Sequence, residues 1–109
     1  MIPNEKVCNL LFNGMELSTS GRVRPCCLFD RYLGDDTEQF SLEKHSIKQI
    51  FHSADYQELR RKSLVGEYIP ECSQCFTEEA SGVISRRQRE LNRKVDYDNP
   101  VIQQLDIKT

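Results

Sequence analysis

The sequence predicts an α+β domain: a small cysteine-bearing β-hairpin followed by helices, the whole stapled by one metal centre. Three observations carry that prediction. A polar turn, Ser18-Thr19-Ser20-Gly21, separates two short stretches with strand-like patterning. Helix-start signals recur downstream at Ser46, Ser53 and Ser85. Four of the five cysteines fall into two tight groups, Cys26-Cys27 and Cys72-Cys75, with Cys8 upstream. Thiols grouped in this way point to a soft metal.

Composition bounds the rest. A chain of 109 residues makes one small domain, and with 38% apolar residues and no tryptophan it buries a thin core. A metal tying its loops together would supply much of the stability such a core lacks. The net charge of −2 offers no general attraction for nucleic acid or membrane. No apolar run approaches a membrane span. The start, MIPNEKVCNLLFNG, lacks the basic-then-apolar pattern of a secretory signal, so a cytoplasmic location is expected. Disulfides are disfavoured there, and the odd thiol count would leave one cysteine over.

Taken in order, Leu10-Leu11-Phe12 and the alternation of Val23 and Pro25 against Arg22 and Arg24 read as two strands. Gly21 supplies the turn between them, since glycine alone takes a positive φ without strain. On this reading Cys8 opens the first strand and Cys26-Cys27 close the second, so the hairpin brings those thiols together. Asp30 to Phe40 is acidic, contains Gly34, and reads as a loop. Ser46 with Gln49 forms a capping-box signature, and Ser53 is a second N-cap with Asp55 in the first turn. Tyr56, Leu59 and Leu64 fall near one face of that helix. Arg60-Arg61-Lys62 sit toward its C-terminal end, and Gly66 terminates it.

Pro70 keeps helix out of the turn that carries Cys72 and Cys75, with a single helical turn expected over Phe76 to Ala80. Ser81-Gly82 breaks the chain. Ser85 with Gln88 then opens a polar helix through about Lys94, whose apolar members Leu91 and Val95 predict weak docking or a partner contact. Asp96 to Pro100 is a turn-rich linker, and Leu105-Asp106-Ile107-Lys108 alternates as a strand does.

Four cysteinates can hold zinc or an iron–sulfur cluster, and spacing alone does not separate the two. Cys72 and Cys75 form the close pair typical of zinc ribbons, whereas Cys26 and Cys27 are adjacent and cannot easily both turn to one ion. All five, Cys8, Cys26, Cys27, Cys72 and Cys75, are candidate metal ligands, and free packed thiols are the third reading. His45 and His52 lack ligand spacing and read as surface residues. The basic stretch Arg86-Arg87-Gln88-Arg89 with Arg93-Lys94 is interrupted by Glu90 and carries no interleaved aromatics, so it reads as a solvated face and not as a nucleic-acid site. Asp35-Asp36 and Glu78-Glu79 read as solvent-facing.

The segment from Cys8 through twelve residues to Gly21, then RVRP, then Cys26, resembles a signature of the SPASM and twitch type of accessory-cluster domain in radical S-adenosylmethionine proteins. The stretch SIKQIFHSADYQELRRKSLVGEYIPECSQCF is also similar in style, a helix-rich connection delivering a two-residue-spaced cysteine pair. The resemblance covers nearly the whole chain. It implies that Cys8, Cys26, Cys72 and Cys75 ligate a single 4Fe–4S cluster, with Cys27 as a substitute for Cys26 or a neighbouring thiol. Arg22 and Arg24 flank that site and are candidates for offsetting its negative charge.

VIQQLDIKT is similar to the first barrel strand of such proteins, and no CxxxCxxC motif occurs in the 109 residues. The expected organisation is therefore an auxiliary cluster domain over residues 1–100, followed by a linker and the first strand of a radical S-adenosylmethionine barrel over 101–109. The implied role is electron transfer or substrate positioning beside a barrel domain or partner protein that binds S-adenosylmethionine, with no turnover by this chain alone. The alternative is a zinc-stapled module that binds protein or RNA without redox activity.

Overall fold

The turn at Ser18–Gly21 closes as the sequence predicts. The computed structural model describes the backbone of residues 4–107 and the side chains of residues 4–103. Gly21 adopts φ +84° and its N–H donates to the Ser18 carbonyl at 3.0 Å. Strand β1 (Gly14–Leu17) pairs antiparallel with β2 (Val23–Arg24), with Glu16 opposite Arg24 and Leu17 opposite Val23.

The strand expected at Leu10-Leu11-Phe12 is instead a helical turn, α1 (Leu10–Asn13). All four of its residues are buried. A short apolar run with both faces covered carries no period to tell helix from strand, and here burial on every side selects the helix. Cys8 therefore stands one helical turn ahead of β1 and does not open it. A third strand, β3 (Gln104–Ile107), lies parallel to β1 and gives the order β2-β1-β3. Nearly the whole chain forms the crossover between those parallel strands, and β1, buried throughout, is the sheet's centre. Lys108, the last residue of the expected strand, lies outside the described residues.

The helix signals hold. In α2 (Ile47–Phe51) the Ser46 N–H donates to Gln49 Oε1 at 2.7 Å while the Gln49 N–H donates to Ser46 Oγ at 3.1 Å. Ser53 caps α3 (Ala54–Leu64), and Gly66 follows its end at φ +74°. Tyr56 is fully buried and its hydroxyl donates to the Gly14 carbonyl at 2.9 Å, which locks α3 to the sheet.

Arg60 departs from its expected place in a polar C-terminal turn. It is 3% exposed, donates from Nε to the Leu11 carbonyl at 2.7 Å, and lies over the rings of Phe51 and Tyr56 at 4.2 and 4.7 Å. Carbonyls near a helix C-terminus have no donor within the helix, and Arg60 supplies one. The loop from Asp30 to Phe40 is held by the Gly34–Gln39 bridge. A Cβ on Gly34 would meet the Glu38 carbonyl oxygen at 2.4 Å, so only glycine fits there.

After a 3₁₀ turn at Pro70–Cys72, α4 (Ser73–Ala80) begins three residues sooner than expected. Pro70 halts a helix entering from upstream but is compatible with one starting just beyond it. The chain breaks at Gly82, φ +87°, and a capping box at Ser85 opens α5 (Arg86–Arg89), which passes into a 3₁₀ turn over Glu90–Asn92. The expected helix to Lys94 thus ends early. It also docks through buried Arg87 and Glu90, with Leu91 and Val95 half-buried against the core. Asp96 Oδ1 accepts from the Asp98 and Asn99 amides at 3.0 Å, the local chemistry of a turn. Among the described residues no helix is long and apolar enough to cross a membrane.

Candidate metal centre

Three separate pieces of chain deliver the four thiols. Cys8 is held where its N–H donates to Ser63 Oγ at 2.9 Å, near the end of α3. Cys26 follows β2 and opens a turn in which the Phe29 N–H donates to the Cys26 carbonyl at 3.2 Å. Cys72 ends the 3₁₀ turn, its N–H donating to the Ile69 carbonyl at 2.9 Å. Cys75 lies one turn on, in α4, and is 6% exposed.

Cys8, Cys26, Cys72 and Cys75 line one cavity, walled by apolar groups that include Leu10, Phe29 and Ile69. Yet no three His, Cys, Asp or Glu among the described residues gather closely enough to hold a single metal ion. The thiols surround a shared space without closing on one point. All five cysteines are free of disulfides.

The electrostatics follow from that shared burial. Burial, then the charge of Cys26, pushes the Cys8 thiol up to about 12. Burial also raises Cys26, helped by Cys75 and Cys27. Cys72 is raised by burial and then by Cys8, Cys26 and Cys75 in turn. The burial and mutual repulsion of Cys8, Cys26 and Cys72 thus disfavour their thiolate forms. A bound metal cation would offset that penalty and favour the thiolates that ligate it.

Two polar brackets hold these pieces in place. Arg31 donates to Asp55 from Nη1 and Nη2, at 2.7 and 2.8 Å, and from Nε to Glu71 at 2.7 Å. It thus ties the loop after Cys26 both to α3 and to the residue before Cys72, and the Asp30 N–H to Glu71 carbonyl bond at 3.0 Å reinforces the link. Arg87, 5% exposed, forms the second bracket. It donates to both Glu79 carboxylate oxygens and to the Glu5 and Val7 carbonyls. Glu79 lies one helical turn beyond Cys75 and Val7 immediately precedes Cys8, so the bracket joins the first ligand candidate to the last. Asn9 completes the set, donating to the Glu90 and Arg93 carbonyls and accepting from the Tyr97 hydroxyl at 2.6 Å.

Several expected roles change. Arg22 donates to Gln39, and Arg24 donates to buried Glu16 at 2.6 Å and to the Phe29 carbonyl. Neither is part of the cavity wall. Arg86 and Arg87 are, from the helix that read as a solvated face. Glu79 is ion-paired and mostly covered, in contrast to its expected solvent-facing role. Cys27 stands outside the lining, with Arg86 Nη1 at 3.5 Å from its Sγ. His45 packs on Phe40 and His52 on Phe51, away from the thiols. Sequence reasoning missed Asn9, Arg31 and Arg87 because each also acts on partners 24 to 88 residues away.

The family model of SPASM, an iron–sulfur cluster-binding domain, matches residues 8–76. That span opens on Cys8 and closes one residue past Cys75. No curated protein and no solved structure matches the chain.

Proposed function

The chain belongs to the SPASM family of iron–sulfur cluster-binding domains, and from that premise we propose that Cys8, Cys26, Cys72 and Cys75 bind a single 4Fe–4S cluster. The observation that carries this is the shared cavity: thiols from the N-terminal segment, the turn after β2 and α4 all face one space. The family match over residues 8–76 favours an iron–sulfur centre over one zinc ion. When bound, such a cluster supplies one-electron redox chemistry. The chain does the rest. Arg31 and Arg87 preset the positions of the sulfurs, Leu10, Phe29 and Ile69 exclude water, and Cys26 rather than Cys27 is the ligand of the adjacent pair.

In this reading the domain is auxiliary to a radical S-adenosylmethionine system. It relays electrons to the barrel that binds S-adenosylmethionine, or holds that barrel's substrate, and it turns nothing over alone. Residues 101–109 then act as the linker and first strand of such a barrel.

Anaerobic purification followed by iron, acid-labile sulfide and zinc analysis tests the proposal. Brown protein with iron and sulfide in the ratio of a 4Fe–4S core is expected. Colourless protein with one zinc per chain refutes it. C26S should lose the iron that C27S retains; the reverse result would move the ligand to Cys27.

A further inference from the structure

Granting that four-cysteine reading, an anionic cluster would be stabilised by cations held at the wall of its cavity. Arg24 is spent on Glu16 and Arg22 on Gln39. Among the described residues three cations line the cavity, Lys6, Arg86 and Arg87. Lys6 carries its charge on the flexible stem of an N-terminal lysine, and Arg87 is held in a two-pronged pair with Glu79. Arg86 is bound differently. It reaches Cys27 Sγ with Nη1 at 3.5 Å, and its Nε stands 3.6 Å from Glu90 Oε1, a carboxylate that also receives Arg93 at 2.7 Å. The side chain is 29% exposed, so water screens it only in part.

We infer that Arg86, steadied by Cys27 and Glu90 on the wall of the thiol-lined cavity, is a positioning residue that sets the reduction potential of the bound cluster. A core held by four thiolates is anionic, and reduction adds one more negative charge. A fixed guanidinium at the wall lowers the free energy of the reduced form more than that of the oxidised form, which raises the potential. The step is a plain electron transfer. One electron passes from a low-potential reductant such as dithionite to the cluster, no bond in Arg86 forms or breaks, and the guanidinium keeps its protons. Cys27 has a purpose here that needs no metal bond: its sulfur steadies the cation.

A dithionite titration of the anaerobically isolated holoprotein, followed by electron paramagnetic resonance, tests this. R86Q removes one positive charge whatever else the side chain touches. It is expected to shift the oxidised-to-reduced equilibrium about tenfold toward the oxidised form, about 59 mV lower for a one-electron couple. R86K keeps the charge and should recover most of the shift. E90Q removes an acid from beside the same guanidinium and should move the potential the opposite way, while the fall in R86Q is itself a sign that added solvent exposure does not produce. Equal potentials in R86Q and wild type at equal iron content overturn the inference and leave the cluster standing. A wild-type chain that binds no cluster overturns the four-cysteine reading and this inference with it.

Discussion

Replacing Arg87 with methionine removes the bracket between the two ends of the candidate metal centre. The side chain is 5% exposed, and its loss leaves the Glu79 carboxylate with only the Ser85 hydroxyl and leaves the Glu5 and Val7 carbonyls without their donor. Breaking a buried ion pair from one side costs about 3–5 kcal/mol. The Glu79 side chain is 16% exposed, so water relieves part of the orphaned charge, and the lower end, about 3 kcal/mol, applies. Against a total stability of about 5–15 kcal/mol that is a large loss. In a urea titration of the anaerobically isolated protein, followed by far-ultraviolet circular dichroism, the midpoint should fall by about 1.5 M at a slope near 2 kcal/mol/M. The double variant E79M/R87M should lose less than the sum of its single changes, since no charge is then left buried alone. A midpoint within about 0.3 M of wild type, or strict additivity in the cycle, refutes the reasoning.

The acid limb follows from the same pair. Burial works to raise the Glu79 carboxyl, but Arg87 and Ser85 outweigh it and hold it below the ordinary range. The stability it confers is complete above the unfolded value of about 4.3 and is lost as pH falls through the depressed folded value. Wild type should therefore lose stability more steeply than E79Q below about pH 4, which urea midpoints across acid buffers will show. Gly66→Ala puts a Cβ 3.6 Å from Asn4 Oδ1, an ordinary contact, so its cost is the strain of φ +74°. About 1 kcal/mol is expected, read as a fall in Tm of about 4 °C or somewhat more; an unchanged Tm counts against it. Removing the metal with a strong chelator under anaerobic conditions should largely unfold the domain, because the bonds that would tie the N-terminal segment, the turn after β2 and α4 to one centre are then lost. An unaltered thermal transition after iron loss would show that the apolar core suffices without it.

Features set by neighbouring residues were legible in the sequence. The capping boxes at Ser46 and Ser85, the Ser53 cap, and the terminators Gly66 and Gly82 need partners only a few residues away, and all formed. The grouping of the thiols carried the chemistry of the site and the family resemblance, which the match over residues 8–76 bears out. Leu10-Leu11-Phe12 was misread because three apolar residues fit a buried helix as well as a strand. The docking of α5 was missed because counting apolar residues overlooks a buried Arg87–Glu79 pair.

The amino-acid order alone thus determined where helices start and stop, where the hairpin turns, and which sulfur atoms can act together. Only the tertiary structure decided that Cys26 faces the cavity while Cys27 turns toward Arg86, and that arginines near residue 86 rather than residue 22 stand in its wall. The division has a physical basis. A cap or turn is settled by hydrogen bonds within one turn of chain, whereas the surroundings of a buried thiol depend on segments up to about sixty residues away that meet only when the core closes.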